Sequence, residues 1–340
     1  MSFVLHGPDP SVFDKSNRKP HVIIIGAGLA GLALAALLQK AGIPYNVFEK
    51  SPQTRNEPPS FSERTLALFS RKWESWMSMA KSKRCSTIRL FNERREEDYV
   101  LDFSLDRELS GYEGRLIPRK VLYEITLAQV PEERLHRGKR MLWMTQGENG
   151  VHVKFSDGSE FEGDILFGAD GAYSAVRQSL FDRLKKDRKL PASDSKELPF
   201  SCVSVAGYTG PLDPEKFPFL KEEESSIINN RSDEKPYSWN VYAVNDDKMC
   251  WRATMYLDEE SSKLHTSFRT TGWGEGGADS MCKEVRDFPI PGGEGTLTLD
   301  DLIDKTPKYQ MAKVMLEEKV FDTWYCRTVL LRDCTFVSPP

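Results

Sequence analysis

Four consecutive β-branched residues, Val22 to Ile25, open the first strongly patterned stretch of the chain. A continuous apolar run of this kind predicts a strand buried on both faces of a parallel sheet, because a half-wetted strand alternates. Beyond it, Leu29, Leu32, Ala33, Ala36 and Leu37 recur at spacings of three and four, which predicts a helix with one apolar stripe. Lys40 falls in its last turn, and Gly42 with Pro44 ends it. Tyr45 to Phe48 follows as a second strand, with Glu49 at its end.

Further along, Leu66, Phe69, Trp73, Trp76 and Ala80 again recur at three and four, so Ser62 to Ala80 reads as an amphipathic helix. Its polar side carries Arg64, Arg71, Lys72 and Lys81, and it is expected to dock on the core with a solvated face rather than on a membrane or an acidic partner. Ser86 to Phe91 and Tyr99 to Phe103 read as short strands around a charged turn. Pro118 opens a helix, RKVLYEITLAQV, that Pro131 closes. Met141 to Thr145, Val151 to Phe155 and Ser159 to Phe161, parted by GENG and SDG turns, predict an antiparallel meander. Ile165 to Phe167 is a buried strand that leads through a glycine-acid-glycine turn into a helix capped by Ser174. Four strands then follow at Cys202 to Tyr208, Ser226 to Asn229, Tyr237 to Val244 and Met249 to Tyr256, with short helices near Ala278 to Val285 and Thr298 to Asp304 and a last strand at Thr328 to Leu331.

This order predicts an α/β protein: a Rossmann-like first domain with a β-meander, and a second α+β domain built on an antiparallel sheet. The expected spans are a polar leader at 1–20, the first domain at 21–185, the second at 190–318, and a return strand at 319–340. At 340 residues the chain is long enough for two cores, and its net charge of -4 argues against a nucleic-acid surface. The six cysteines, at 85, 202, 250, 282, 326 and 334, form no C-x-x-C pair, which predicts reduced thiols and no zinc site, while their even number leaves disulfides open. The leader lacks an apolar core and no run approaches a membrane span, so the chain is expected to be cytoplasmic without an integral membrane segment, peripheral membrane association remaining open.

Candidate chemistry gathers at two turns. Gly26, Ala27, Gly28, Leu29, Ala30 and Gly31 fit G-x-G-x-x-G between strand and helix. In that motif the first glycine makes the tight turn, the second lets a pyrophosphate approach bare backbone, and the third lets the helix close on the strand. The helix N-terminus faces the phosphates, and Glu49, about 20 residues on, is placed to accept hydrogen bonds from a ribose diol. Arg119 is a cation in a helix first turn, where it calls for a nearby anion: a carboxylate of Glu113 or Glu124, or a cofactor phosphate. Asp170 and Gly171 lie where backbone passes close to something, or form an ordinary turn with a capping acid.

The glycine fingerprint ending in Glu49, the stretch GDILFGADGAYSAVR and the strand TVLLRD together resemble class A flavin-dependent monooxygenases of the p-hydroxybenzoate hydroxylase fold, and more narrowly their fungal members. The resemblance implies an FAD site made by Gly26, Ala27, Gly28, Gly31, Glu49, Lys50, Arg119, Asp170, Gly171 and Asp333, and it resolves Arg119 toward the flavin nucleotide. It further implies NAD(P)H as co-substrate, O2, and hydroxylation or epoxidation of a small organic substrate through a flavin C4a-hydroperoxide. No catalytic side chain is assigned. A flavin halogenase would carry W-x-W-x-I-P, which is absent. Two stretches depart from the family: Pro58 to Arg84 is basic and Trp-containing where a Gly-rich segment is usual, and the segment after Asp333 lacks the family's Gly-rich turn. These departures lead to the expectation of a missing C-terminal part, and to an alternative in which the protein binds FAD but is catalytically impaired or vestigial.

Overall fold

The computed structural model describes residues 18–53, 61–66, 83–111, 114–148, 150–196, 200–258, 278–292, 295–317, 319, 321–325 and 328–331. In chain order the first elements are β1 (Val22–Ile25), α1 (Leu29–Ala41), β2 (Tyr45–Glu49), β3 (Phe61–Leu66), β4 (Lys83–Phe91), β5 (Glu97–Asp102), α2 (Asp106–Ser110), β6 (Gly114–Pro118) and α3 (Arg119–Leu127). The middle of the chain supplies β7 (Leu135–Arg137), β8 (Met141–Gly147), β9 (Gly150–Phe155), β10 (Glu160–Gly163), β11 (Ile165–Gly168) and α4 (Ala175–Lys186). The rest forms β12 (Phe200–Tyr208), β13 (Ser225–Arg231), β14 (Tyr237–Val244), β15 (Lys248–Tyr256), α5 (Asp279–Val285), α6 (Leu299–Ile303), β16 (Met311–Glu317) and β17 (Thr328–Leu330).

The chain divides into two compact units, which interleave along the sequence. Unit 1 takes the described residues of 18–53, 129–190 and 323–331, and unit 2 those of 61–128 and 191–322. The described residues of 61–128, which the sequence places inside a continuous first domain, thus group with unit 2. The cause is strand pairing: β4 runs parallel to β13, with Ile88 opposite Ile227, which ties this segment into the large sheet.

Unit 1 is built on a five-stranded sheet of order β17-β11-β1-β2-β7, with every neighbouring pair parallel. As its unbroken apolar sequence requires, β1 lies at the centre with all four residues buried. Helix α1 buries Gly31, Leu32 and Ala35, so its inward stripe is turned from the expected one and Leu37 is exposed. Small residues let the helix axis come close to the sheet, and that proximity outweighs burying one more leucine. Gly42 ends α1 in the left-handed conformation at φ 61°, as its position predicts. The meander β10-β9-β8 pairs antiparallel, and its Phe155 and Phe161 pack with Phe48 of β2 at ring-centroid distances of 4.7 and 4.6 Å.

Unit 2 is a nine-stranded mixed sheet of order β16-β12-β15-β14-β13-β4-β6-β3, with β5 paired to β4. One face carries a core of Trp239, Trp251, Val205, Val241, Phe288 and Leu302 with their neighbours, over which α5 and α6 pack. Cys85 and Cys250 lie in a smaller apolar cluster with Leu116, Ile227 and Tyr242. Cys85, Cys202, Cys250 and Cys282 are buried thiols that form no disulfide, and burial pushes the Cys250 pKa up.

Two sequence expectations are corrected. The helix expected over Ser62 to Ala80 starts as strand β3, antiparallel to β6 with an irregular register between Ser62 and Thr65; its remainder lies outside the described residues. Most of the periodic residues that suggested a helix fall after Leu66, so sheet pairing decides the first turn's worth. Helix α3 ends at Leu127, short of Pro131, its last turn closing with Ala128 N–H on Glu124 C=O at 3.0 Å. Among the described residues, no helix is long and apolar enough to cross a membrane, and no group of three or more His, Cys, Asp or Glu side chains is arranged to hold a metal ion.

Candidate functional site

The sharp turn from β1 into α1 starts at Gly26, whose φ of +105° is a conformation that L side chains avoid. Gly26 N–H donates to Phe48 C=O at 2.8 Å, and Ala169 N–H donates to Ile25 C=O at 2.7 Å, so the ends of β2 and β11 hold the turn from both sides. A Cβ on Gly26 would meet the Ala169 carbonyl oxygen at 2.4 Å. On Gly31 it would lie 2.0 Å from the Gly26 carbonyl oxygen and 3.2 Å from Ala169 Cβ. Both glycines are therefore required by the protein's own packing.

Gly28 differs. It is the N-cap of α1, its φ of -75° is open to any residue, and a Cβ there would meet no protein atom within 4 Å. Among the described residues no side chain caps this helix and no acid stands in its first turn, so the N–H groups of that turn face outward without a side-chain partner. A concave, glycine-lined turn at an uncapped helix N-terminus fits a pyrophosphate, and the residues present thus fit the ADP half of a flavin dinucleotide.

Glu49 closes the other side of the turn. One carboxylate oxygen accepts Ala27 N–H at 2.9 Å and the other accepts Ser51 N–H at 2.9 Å. A carboxylate offers about four acceptor positions, so each oxygen keeps a lone pair for a ribose hydroxyl. This double bond to backbone makes Glu49 structural as well as available. Substituting Glu49→Ala is expected to lower the stability of unit 1 by about 1–3 kcal/mol through the two stranded N–H groups. The same substitution should weaken FAD binding by a further tenfold or more, on the order of one charge-assisted bond to the ribose. Urea unfolding of the ligand-free protein and an FAD titration measure the two separately; an unchanged urea midpoint would show that the Ala27 and Ser51 bonds carry no stability.

Ser174 is the N-cap of α4, as its position predicts, and Asp170 supports it. Its carboxylate accepts Ser174 Oγ–H at 2.5 Å and Ala175 N–H at 2.7 Å, while Ser174 Oγ itself accepts Arg177 N–H at 2.9 Å. Gly171 has φ +86°, and a Cβ there would meet nothing. The Cα of Asp170 lies 2.9 Å from the place a Gly26 Cβ would take, so the two glycine turns are packed against each other. Lys50 follows Glu49 and is exposed.

The structure thus brings Gly26, Ala27, Gly28, Gly31, Glu49, Asp170 and Gly171 together at the carboxyl ends of β1, β2 and β11. Arg119 begins α3 in unit 2 and is half-buried, and Asp333 lies outside the described residues. Sequence reasoning passed over Arg137, the last residue of β7. It is the Cα partner of Glu49, and its buried Nη1 has no hydrogen-bond partner among the described residues. The segment LHR is too short to show a strand period, and only its pairing with β2 places the arginine at this edge.

Known proteins resemble this chain along most of its length. FAD-dependent monooxygenase verC1 of Penicillium polonicum is 29% identical over 89% of this chain and 36% of its own length. FAD-dependent monooxygenase ausM of Aspergillus calidoustus is 26% identical over 94% of this chain and 66% of its own length. The chain therefore spans between about a third and two thirds of the length of these relatives. Among solved structures, 2,6-dihydroxypyridine-3-hydroxylase from Arthrobacter nicotinovorans shares the fold, with a TM-score of 0.67 at 15% identity over 93% of this chain and 77% of that one. So does Klebsiella pneumoniae HpxO complexed with FAD and uric acid, with a TM-score of 0.62 at 17% identity over 92% of this chain and 72% of that one. A family profile described as FAD binding domain matches residues 19–269, and the chain belongs to that family.

Proposed function

We propose that this chain acts as an FAD-dependent monooxygenase that uses NAD(P)H and O2 to hydroxylate or epoxidise a small organic substrate. The observation that carries the cofactor site is Gly28: the protein gives no packing reason for a glycine there, whereas a pyrophosphate does. The likeness to FAD-dependent monooxygenases over 89% and 94% of the chain supports the reaction class. Bound FAD supplies the hydride-accepting and oxygen-activating chemistry. The chain's own residues bind and orient it. Backbone N–H groups of the Gly26 to Gly31 turn and the dipole of α1 hold negative charge on the phosphates, and Glu49 takes the ribose. Gly171 leaves backbone open beside them, and Asp170 fixes the turn that presents it. Lys50 adds positive charge at the rim; the roles of Arg119 and Asp333 rest on the resemblance alone. The test is reconstitution of the purified chain with FAD, followed by NADPH and NADH oxidation and oxygen uptake. A yellow protein that binds FAD and oxidises a reduced nicotinamide with oxygen consumption is the expected result. Failure to retain FAD overturns the reading, and retention without nicotinamide oxidation confines the chain to cofactor binding.

A further inference from the structure

The order of strands in unit 1 sets the order of groups along one edge of its sheet. From β1 to β2 to β7, the carboxyl ends carry the glycine turn, then Glu49, then Arg137. Neighbouring strands lie about 4.8 Å apart, so the arginine stands roughly 10 Å, or two strand spacings, from the glycine-turn strand. A dinucleotide half runs in the same sense, from pyrophosphate through ribose to base, in comparable steps.

The pleat settles which side of the sheet the arginine shares. Phe48 and His136 are Cα partners, and their rings stack at 4.8 Å on one face. The next pair, Glu49 and Arg137, therefore points to the opposite face. There the two carboxylate oxygens of Glu49 accept Ala27 and Ser51 N–H groups rather than the guanidinium. Arg137 Nη1 is left buried without an acceptor among the described residues. A donor withdrawn from water and unpaired is costly, and native structures keep few of them without a reason. A guanidinium has donors only, whereas adenine presents ring-nitrogen acceptors along its edge.

We propose that Arg137 is an adenine-side ligand of the dinucleotide, donating from its guanidinium to the base while Glu49 takes the adjoining ribose. The inference rests on the reading of unit 1 as an FAD site and adds to it the residue that selects the adenosine end. The variants are Arg137→Met, close in length and without donors, and Arg137→Lys, which keeps a charge without the planar fork. FAD affinity is read by fluorescence titration, ADP affinity by displacement of FAD, and ligand-free stability by the urea midpoint. Arg137→Met is expected to weaken both FAD and ADP by about tenfold or more, the size of one hydrogen bond to a charged donor. Its ligand-free urea midpoint should stay level or rise, since an unpaired buried donor has been removed. Arg137→Lys should fall between. Unchanged FAD and ADP affinity in Arg137→Met overturns the proposal, and so does a loss of affinity matched by a lower urea midpoint, which would mark a structural arginine. A raised KM for NADPH with FAD affinity intact would assign the arginine to the nicotinamide cofactor and overturn it too. If the unsubstituted protein binds neither FAD nor ADP, the flavin reading itself has failed.

Discussion

Replacing Gly31 with valine is expected to abolish FAD binding by unfolding the nucleotide fold, whereas replacing Gly28 with alanine should weaken it by on the order of 100-fold with the fold intact. The two glycines belong to one motif and differ in what surrounds them. A Cβ on Gly31 would lie 2.0 Å from the carbonyl oxygen of Gly26, a backbone atom held in place by the strained turn and by Ala169 behind it. No rotamer change relieves that contact, so α1 would have to lift from β1. Overpacking of ordinary cores costs about 1–3 kcal/mol, and a clash with fixed backbone belongs above that range. Around Gly28 there is no protein atom within 4 Å of the added methyl. Alanine for glycine at an N-cap costs up to about 1 kcal/mol, a small change in urea midpoint. The methyl would nevertheless occupy the space through which phosphate oxygens reach the N–H groups of α1. Loss of one or two charge-assisted bonds there, about 1.5–3 kcal/mol each, weakens FAD by on the order of 100-fold. Urea unfolding beside an FAD titration decides both. If Gly28→Ala binds FAD as the unsubstituted protein does, the pyrophosphate does not lie over the start of α1.

What the sequence makes legible follows the range of the interactions that build each part. The turn from β1 through α1 to Glu49 is written in consecutive residues, each tied to a local need: a positive φ at Gly26, a close helix at Gly31, a left-handed stop at Gly42. Strands β14 and β15 are equally plain, being long, rich in aromatic and β-branched residues, and joined by a short turn in which Asp246 and Asp247 take positive φ. Elements that exist only through distant partners were not legible. β16, with the sequence MAKVMLE, has the composition of a helix and becomes a strand by pairing with β12, about 110 residues earlier. β7 is three residues long and β3 pairs with β6 across an irregular register. The same logic explains the site. Glu49 was visible because it follows its glycine motif at a fixed distance, and Arg137 was not, because only the parallel pairing of β7 with β2 brings it to the same edge. Asp170 shows the converse. Its local sequence allowed both a cofactor contact and a plain cap, and its carboxylate is engaged at the start of α4, on Ser174 Oγ–H and Ala175 N–H.

In unit 2 the largest single loss of stability is expected at Trp251. The indole is fully buried, and its Nε1–H donates to Thr306 Oγ1 at 2.9 Å, while that hydroxyl donates to Leu302 C=O at 2.7 Å. This chain of bonds joins β15 to the segment that follows α6, so the ring is both filler and tie. Across the ladder its Cα partner is Gly207 of β12, where a Cβ would come within 2.5 Å of the indole ring atoms. The glycine is small because the indole lies over it. Trp251→Ala should cost about 3–5 kcal/mol, the range for deleting a large buried aromatic side chain. Gly207→Ala should cost about 1–3 kcal/mol in the unsubstituted protein, since the added methyl must displace the ring. The two losses should not add. With the indole gone the methyl enters a cavity, so Gly207→Ala in the Trp251→Ala background should be close to neutral, giving a coupling energy of about 1–3 kcal/mol between the sites. Urea unfolding of the two single variants and the double variant measures that coupling. Equal costs of Gly207→Ala in both backgrounds would mean that the ring does not lie over the glycine, and that the core of unit 2 is packed differently from the arrangement described.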